Sequence, residues 1–443
     1  MQRHSRIAAL GAASVLLLAA CSSHGKNATP TSAGGGPTQS SSSSAASGPG
    51  SFGTLGQVCG GGTAKGATDT GVTDTAIHVG TVADVGWSAA PGLLQPIFDG
   101  ADAFVGWCNA AGGINGRKLV LDKRDSAFSN YLPQIQKSCT SDLAIVSMGI
   151  LDDTGVDAWE KCGLLNFTAA TVGSKAAVAK DMIPMTPIPA DQQTIGGFHL
   201  FFDQHPDWAQ AVGSLYSNGV AGDREQHTYN EAITSLGGKI VYTAEYTPTT
   251  SNWTPFVQAM KKAGVKFLFL NDTANVTAGI EQAMSTLGWY PQLQISPSQL
   301  YDESTLQLAG KNIKNYYTYI PTTPFEASDT VPAVKQYLSL LDQYAPKAKK
   351  TFFGSTSFSA WLLLGTAIKS CGDNVTRQCI STYVATQKQW TGGGLQGPID
   401  PASNRASECF AIMRVDSDKF VQEFPSQLGQ YDCSPKNAPT VKP

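Results

Sequence analysis

The chain has 443 residues and carries 31 basic against 34 acidic side chains, a formal net charge of −3. The charges are not gathered into blocks of one sign, which excludes the clustered basic surface that nucleic-acid binding requires. A chain of this length exceeds what one compact core usually holds, so two lobes are expected.

An export signal occupies the N-terminus. Arg3 and Arg6 precede an apolar run that is too short for a membrane span and stops at Cys21. The motif LAAC at residues 18–21 resembles the bacterial lipobox, in which the cysteine is lipidated and begins the mature protein. We therefore predict a signal peptide over residues 1–20, a lipid anchor on Cys21 and a location on the extracytoplasmic face of a bacterial cell membrane. A plain signal peptide that happens to end in cysteine is the alternative.

Residues 21–55 are predicted to form a disordered, lipid-anchored tether. From Ser22 onward this stretch consists almost entirely of Ser, Gly, Ala, Thr and Pro, and it offers too little apolar surface to offset the entropy lost on ordering. Removal of the signal peptide takes away two arginines and no acids, which leaves 29 basic against 34 acidic side chains and a net charge of −5.

Residues 107–125, WCNAAGGINGRKLVLDKRD, predict the return of a βαβ unit. Apolar side chains recur at helical spacing up to Cys108, so a helix ends near Asn109. The glycines that follow can adopt the left-handed conformation that closes a helix, and Asn115-Gly116 is a strong turn dipeptide before an apolar strand. The stretch therefore predicts a helix, a tight turn and a buried strand in succession.

Short apolar runs alternate with longer helical patterns along the rest of the chain. Alternation of this kind is typical of parallel sheets covered by helices. The predicted fold class is α/β, with two Rossmann-like lobes. Strands are predicted at residues 77–82, 118–121, 143–148 and 164–167, and again at residues 211–216, 239–246, 265–270 and 292–295.

Three extended crossover segments are predicted to join the lobes. Pro187 and Pro189 disfavour helix in the first, at residues 185–189, while the second covers residues 316–321 and the third lies near residues 406–415. Crossing segments make a hinge, and open α/β sheets bind ligands in a crevice at the carboxyl ends of their strands. The predicted N-lobe comprises residues 56–188 plus 318–407, and the predicted C-lobe residues 189–317 plus 408–443.

Eight cysteines remain after Cys21, an even number that suggests disulfides in an exported chain. We pair cysteines that bracket a short segment or lie on consecutive predicted helices. No closely spaced ligand pair such as C-x-x-C occurs, so neither a metal nor a cofactor is predicted. The predicted bridges are Cys371–Cys379, Cys409–Cys433, Cys108–Cys139 and, by elimination, Cys59–Cys162.

Four motifs resemble one known family: IHVG at residues 77–80, NAAGGINGR at 109–117, LGGKIV at 236–241 and LQGPI at 395–399. Over residues 73–415 the chain resembles the type I periplasmic binding proteins, and most closely the branched-chain amino acid (Leu/Ile/Val) binding family of ABC importers. The resemblance implies a two-lobed clamp that closes on a small polar metabolite, an amino acid or an amide-like compound, and delivers it to permease subunits in the membrane. We expect a monomer with no nucleic-acid partner and no enzymatic activity.

The resemblance also implies that the ligand lies among loops that follow strands of both lobes. In amino-acid-binding members, the ligand carboxylate meets backbone N–H groups and hydroxyls of the first lobe, and an acidic side chain of the second lobe receives the ammonium. The TAAT loop at residues 168–171 resembles the carboxylate loop, and a helix N-terminus suits an anion. The predicted ligand contacts are Trp87, Gly149, Ile150, Asp152, Thr168, Ala169, Ala170 and Thr171 in the first lobe, and Tyr216, Asn271, Asp272, Tyr301 and Asp302 in the second.

Two features depart from the family pattern. Residues 149–153, GILDD, place two acids where the family has a Ser/Gly-rich loop meant for a carboxylate. Trp87 is suited to stacking on a sugar, a ring or a hydrocarbon ligand. An amino acid is therefore one candidate ligand among several.

Several of these predictions have a plainer alternative. Asp272 and Asp302 are candidate partners for an ammonium group or ordinary helix caps. Tyr216 and Tyr301 either line the cleft or pack at the edge of a lobe. For the whole chain, the alternatives to import are a receptor subunit that uses the same clamp to signal to a membrane partner, and a secreted hydrolase, for which no G-x-S-x-G or H-E-x-x-H motif occurs.

Overall fold

The structure is a computed structural model that describes residues 48–88, 90–149, 154–171, 173–218, 220–247 and 249–442. These residues belong to one structural unit. The predicted signal peptide, Cys21 and most of the predicted tether lie outside the described residues, as do Ile150 and Asp152 of the predicted site. None of the helices in the described part combines the length and the hydrophobicity that a membrane span requires.

The first sheet contains five strands: β1 (Ala76–Ala83), β2 (Lys118–Asp125), β3 (Ala144–Gly149), β4 (Leu165–Thr171) and β5 (Met182–Pro184). All its pairings are parallel, in the order β2-β1-β3-β4-β5. Val79 of β1 lies opposite Leu121 of β2 and Ala144 of β3. β1, β3 and β4 lie inside the sheet and are largely buried and mostly apolar, whereas the edge strand β2 carries five charged residues and is partly exposed.

The second sheet contains β6 (Val212–Ser217), β7 (Ile240–Tyr246), β8 (Phe267–Leu270), β9 (Leu293–Ser296), β10 (Tyr316–Ile320), β11 (Cys409–Asp416), β12 (Lys419–Phe424) and β13 (Asp432–Cys433). Their order is β12-β11-β10-β9-β8-β6-β7, and β13 pairs with β11. β6 to β10 are parallel, whereas β11 is antiparallel to β10, β12 and β13.

The helices of the described residues are α1 (Gln95–Ala110), α2 (Tyr131–Ser141), α3 (Val156–Cys162), α4 (Phe198–Gln204), α5 (Pro206–Ala209), α6 (Val220–Ser235), α7 (Thr254–Ala263), α8 (Ala274–Leu287), α9 (Glu303–Ala309), α10 (Pro332–Tyr344), α11 (Phe352–Cys371) and α12 (Arg377–Thr386).

Helices cover both faces of both sheets. Val79 shares a core with α1 and α11, and Val82 shares another with α2 and α3. In β8, the two phenylalanines face α4 and α6 while the two leucines face α7 and α8, because successive side chains of a strand point to opposite faces.

The chain passes between the sheets three times, after β5, after β10 and before β11. After β10 it forms α11, which packs on β3 and β4 of the first sheet. The predicted α/β fold class, with two parallel-sheet lobes and three crossovers, is confirmed. Two details differ: residues 316–321, predicted only as a connector, include β10, and the β11–β12 hairpin adds antiparallel strands that the prediction did not contain.

The turn after α1 has the predicted form. Gly113 has a φ of +84°, and Asn115 and Gly116 also have positive φ. A Cβ atom at Gly113 would lie 2.1 Å from the carbonyl oxygen of Arg117, so no other residue fits this turn without a shift of the backbone.

The predicted tether is shorter than residues 21–55 at its C-terminal end. Phe52 is fully buried, and its ring lies 5.2 Å from that of Phe358 and 5.9 Å from that of Trp107. Gln336 Nε2 donates a hydrogen bond to the carbonyl of Ser51 at 2.7 Å. Residues 48–75 therefore form an N-terminal arm that packs on the first lobe, because the few large apolar side chains in this stretch find partners there.

The eight cysteines form four disulfides, Cys59–Cys108, Cys139–Cys162, Cys371–Cys379 and Cys409–Cys433. The two local pairings are as predicted, but the predicted pairs Cys108–Cys139 and Cys59–Cys162 are wrong. Cys108 belongs to the core under α1, whereas Cys139 packs in the core under α2, on the opposite face of the sheet. Consecutive helices that lie on opposite faces of a sheet cannot be bridged at disulfide distance.

Candidate ligand-binding site

A cavity of about 360 Å³ opens where the carboxyl ends of the two sheets face each other. Its first wall comes from the loops that follow β1, β2 and β5, from the end of β4 and from the start of α11. Its second wall comes from the loops that follow β6, β8 and β9, from the middle of α6 and from β10. This is the position at which α/β sheets bind ligands, and the volume is near the lower end of the usual range of about 300–1,000 Å³.

The first wall is apolar. Trp87 stacks on Phe128 with ring centroids 4.4 Å apart and planes 14° from parallel. Leu94, Ala170 and Phe353 continue this surface. The wall therefore offers contact area and aromatic faces to a ligand.

Two aspartates at the ends of neighbouring strands hold the aromatic pair in place. Asp84 Oδ1 accepts hydrogen bonds from the Ser126 hydroxyl at 2.5 Å and the Phe128 backbone N–H at 2.7 Å. Asp125 Oδ1 accepts one from the backbone N–H of Gly86 at 3.1 Å. Because β1 and β2 are adjacent and parallel, the loops that follow them start side by side, and these bonds join them.

The hydroxyls near the first wall are already donating to the backbone. The Thr168 hydroxyl is fully buried and donates to the carbonyl of Ala170 at 2.5 Å. The Thr186 hydroxyl, which lines the cavity, donates to the carbonyl of Ala169. Neither hydroxyl proton is therefore available to a ligand in this arrangement.

The second wall is polar. Asn271, directly after β8, donates through Nδ2 to Glu225 Oε2 at 2.7 Å. Gln299, after β9, donates through Nε2 to Asn271 Oδ1 at 2.5 Å. The two amides thus form a chain that ends at a carboxylate on α6.

Glu225 and Asp272 are the acidic groups of this wall. Burial raises the pKa of Glu225 to about 7, although the Arg224 charge and the Asn271 hydrogen bond act in the opposite direction. Burial likewise raises the pKa of Asp272 to about 7 against the hydrogen bonds from Thr273. In the described part of the chain, neither carboxylate takes part in an ion pair.

One oxygen of Asp272 has no partner. Its Oδ1 accepts the backbone N–H of Thr273 at 2.5 Å, but its Oδ2 is buried without a hydrogen bond. A buried carboxylate oxygen without a donor costs free energy. A ligand that supplies a donor at this point removes that cost.

Two tyrosines complete the second wall. The Tyr319 hydroxyl donates to the carbonyl of Thr194 at 3.0 Å and lies 3.3 Å from the Tyr229 hydroxyl. Both tyrosines are buried and line the cavity. Their rings supply aromatic surface beside the carboxylate of Glu225.

A family model described as periplasmic binding protein matches residues 76–419. The chain belongs to the periplasmic binding protein family. This confirms the resemblance to type I members and, because the family consists of binding proteins, the prediction that the chain is not an enzyme. The family is extracytoplasmic. No curated protein sequence is similar enough to count as a match.

Solved structures share the fold at low sequence identity. A fatty acid ABC transporter substrate-binding protein from Thermomonospora curvata has a TM-score of 0.67 and 17% identity over 86% of this chain and 97% of its own. The branched-chain amino acid transporter substrate-binding protein LivJ from Streptococcus pneumoniae, in complex with isoleucine, has a TM-score of 0.65 and 16% identity over 83% of this chain and 100% of its own. A solute-binding protein of an ABC transporter from Rhodopseudomonas palustris, in complex with 3,4-dihydroxybenzoic acid, has a TM-score of 0.62 and 16% identity over 78% of this chain and 96% of its own.

Four of the predicted contact residues line the cavity of this periplasmic binding protein, namely Trp87, Ala170, Asn271 and Asp272. Gly149 and Thr171 end β3 and β4 at the same edge of the sheet. Thr168 and Ala169 lie beneath the cavity surface.

The structure places three predicted contacts away from the cavity lining. Tyr216 is buried and donates to Asn230 Oδ1 at 2.7 Å. Tyr301 is also buried and donates to Glu326 Oε2 at 2.6 Å. Asp302 caps α9 by accepting the backbone N–H of Ser304 at 2.6 Å. Tyr216 and Tyr301 therefore match the alternative of packing within a lobe, and Asp302 matches the alternative of a helix cap.

The sequence prediction missed Glu225, Tyr229, Gln299 and Tyr319. Glu225 and Tyr229 are one helical turn apart on α6, but a charged Arg224-Glu225 pair is more typical of a solvated helix. Tyr319 falls in the segment predicted as a connector. Position along the chain could have identified Gln299, because it follows β9 just as Asn271 follows β8.

Proposed function

We propose that this periplasmic binding protein is the solute-binding lipoprotein of an ABC importer. In this proposal, lipid on Cys21 holds the chain at the extracytoplasmic face of the membrane, and the loaded clamp delivers its solute to permease subunits. The LAAC motif at residues 18–21 and the transporter proteins among the structural neighbours support it.

One observation carries the proposal, namely that both sheets contribute a wall to the same cavity. A ligand that contacts both walls stabilises the arrangement in which they face each other, so binding favours closure. The lobes would be residues 56–188 plus 318–407 and residues 189–317 plus 408–443, with the N-terminal arm added to the first. The three crossings between them form the hinge.

The ligand that we propose is a small metabolite with an apolar body and one polar group. The apolar first wall receives the body, and the second wall, with Asn271, Asp272 and Glu225, receives the polar group. The structural neighbours bind isoleucine or 3,4-dihydroxybenzoic acid, or are named for fatty acids. Since their ligands differ, the choice for this chain depends on its own cavity.

Calorimetric titration and thermal melting of the full chain test the proposal with a panel of amino acids, amides, amines, sugars and aromatic acids. A true ligand should add roughly 2.7 kcal/mol to the free energy of unfolding at a hundredfold excess over Kd. Replacement of the stacking ring, Trp87→Ala, should weaken its binding roughly tenfold. The matched control is Trp208→Ala, which removes a tryptophan that does not line the cavity.

Import is tested by uptake of the bound compound into cells with and without the chain. Uptake that does not depend on the chain contradicts import, and a panel in which no compound binds contradicts ligand binding altogether.

A further inference from the structure

The cavity has its charge on one side only. Glu225 and Asp272 belong to the second wall, and no lysine, arginine or histidine is among the described residues that line the cavity. Arg224, which precedes Glu225, donates to the carbonyls of Ile188 and Pro189 at 3.0 and 3.2 Å. The charge that a ligand meets inside the cavity is therefore acidic.

Among the described residues of the first wall, the side-chain donor left for a ligand carboxylate is the indole N–H of Trp87, and no cationic side chain accompanies it. Phe128 and Leu94 are apolar there, and the hydroxyls of Thr168 and Thr186 donate to backbone carbonyls. A carboxylate in this cavity would meet apolar surface or other carboxylates, and both are unfavourable.

We propose that the solute is a primary amine with an apolar body and without a carboxylate, whose ammonium group lies between Glu225 and Asp272. This inference rests on the proposed function, since it assumes that this cavity is where the solute binds. The apolar body would lie between the Trp87–Phe128 pair and the rings of Tyr229 and Tyr319.

The free acceptors match an ammonium group. Asp272 Oδ2 is buried without a donor from the described residues, which also give Glu225 one protein hydrogen bond, from Asn271 to Oε2. An ammonium has three N–H donors and no acceptor, so it satisfies both carboxylates without leaving a polar group unpaired. The neighbouring tyrosine rings add a favourable cation–π interaction.

Binding of an amine should depend on pH. Burial raises the pKa of both carboxyls to about 7, and only their ionised forms attract a cation. A primary ammonium itself stays protonated from pH 6 to pH 8. The groups that face Glu225 are Arg224 and Tyr229 on its own helix, Asn271 and Asp272 after β8, Tyr216 on β6 and Tyr319 on β10.

Calorimetric titration of the full chain with four matched probes tests the inference: 2-phenylethylamine, phenylalanine, 3-phenylpropanoate and 2-phenylethanol. The amine should bind at least tenfold more tightly than each of the others at pH 8. Its affinity should fall roughly tenfold from pH 8 to pH 6, as the ionised fraction of a group with a pKa near 7 does. A carboxylate ligand should show the opposite trend.

The variants Glu225→Gln and Asp272→Asn keep the shape of the site and remove its charge. Each should weaken amine binding at least tenfold and flatten its pH dependence, and should weaken the binding of 2-phenylethanol, which carries no charge, by a much smaller factor. Thermal melting checks that the variants are folded. The control is Asp342→Asn, which removes an exposed carboxylate on α10 and should change none of these values.

The outcomes separate this inference from the proposed function. If phenylalanine or 3-phenylpropanoate binds more tightly than the amine, the inference that the solute is an amine without a carboxylate is wrong, while the proposed binding function stands. The same holds if none of the four binds but a compound of the broad panel that is not a primary amine does. If no compound binds at all, the proposed function fails and this inference fails with it.

Discussion

Arg117 holds several loops together through one buried side chain. It is fully buried, and its guanidinium donates to four backbone carbonyls. These belong to Thr73 at 3.0 Å, Gly66 at 3.0 Å, Gly372 at 3.3 Å and Asp373 at 3.2 Å. Arginine suits this role because its five N–H groups diverge in one plane.

Arg117→Ala should lower the free energy of unfolding by about 3 kcal/mol, because buried carbonyls lose a charged donor. Urea unfolding followed by circular dichroism measures the change. The control is Arg405→Ala, which breaks a half-exposed ion pair with Asp191 and should cost at most about 1 kcal/mol. Equal losses for the two variants would contradict the role given to Arg117.

Glu281 is a carboxyl buried away from the cavity. Burial raises its pKa from an ordinary value of 4.5 to about 8, against a hydrogen bond from Gln294 and the charge of Lys314. Gln294 Nε2 donates a hydrogen bond to Glu281 Oε1 at 2.6 Å. Glu281 Oε2 and the hydroxyl of Thr277 are buried without hydrogen-bond partners. The folded protein therefore favours the neutral carboxyl.

When the pKa of a group is higher in the folded than in the unfolded chain, its protonated form stabilises the fold. This contribution to the free energy of unfolding is complete below the pKa of the unfolded chain and is lost as pH rises through the pKa of the folded chain. Between pH 5 and pH 8, Glu281 should cost about 1.4 kcal/mol of stability per pH unit. Glu281→Gln should therefore be more stable than the wild type at pH 8, with the gain shrinking towards pH 5. Glu245→Gln, at an exposed position of β7, should leave the pH profile of unfolding unchanged. A gain for Glu281→Gln that is independent of pH would refute this assignment.

At the scale of elements, the N-terminal arm is held to the first lobe by a disulfide and by packing. Cys59 in the arm pairs with Cys108 near the end of α1, 49 residues apart in sequence. Phe52 packs in the same core. The arm therefore behaves as part of the first lobe.

Removal of this disulfide in Cys59→Ser/Cys108→Ser should lower the free energy of unfolding by about 4 kcal/mol, since a long loop regains its entropy in the unfolded chain. Removal of the bridge between Cys371 and Cys379, which are only 8 residues apart, should cost about 2.5 kcal/mol. Denaturant unfolding compares the two. Peptide mapping without reduction checks the pairing itself, and a Cys59–Cys162 peptide would contradict the structure.

At the scale of the whole molecule, we expect ligand binding to be linked to closure of the lobes, because each wall of the cavity comes from a different sheet. The proposed lobes also touch beside the cavity, where the backbone N–H of Phe352, a lining residue, donates to the carbonyl of Tyr301 at 3.0 Å. Motion about such a contact changes the distance between the walls while leaving the connecting segments in place.

The radius of gyration from small-angle X-ray scattering should therefore decrease when a ligand from the panel is added in excess. A compound that does not bind should leave the scattering unchanged at the same concentration. Identical curves with and without a true ligand would show that binding does not close the lobes.

Most of the fold could be predicted locally. Each of the eight predicted strands overlaps a strand of the structure, because buried parallel strands are continuous apolar runs. β5, β12 and β13 were missed: β5 has only three residues and β13 only two, and β12 mixes Lys, Gln and Glu with its apolar residues. The part of the site that follows strand ends, such as Trp87 and Asn271, could be predicted for the same positional reason.

The sequence alone determined the α/β class, the three crossings and the family, because periodicity and turn glycines are local properties of the chain. Only the tertiary structure decided which cysteines pair, that Tyr216 and Tyr301 are buried in packing, and that Glu225 and Tyr319 lie side by side on the second wall of the cavity. These depend on which face of a sheet a helix covers and on the distance between residues far apart in sequence. Long-range packing sets both, and no local pattern records them.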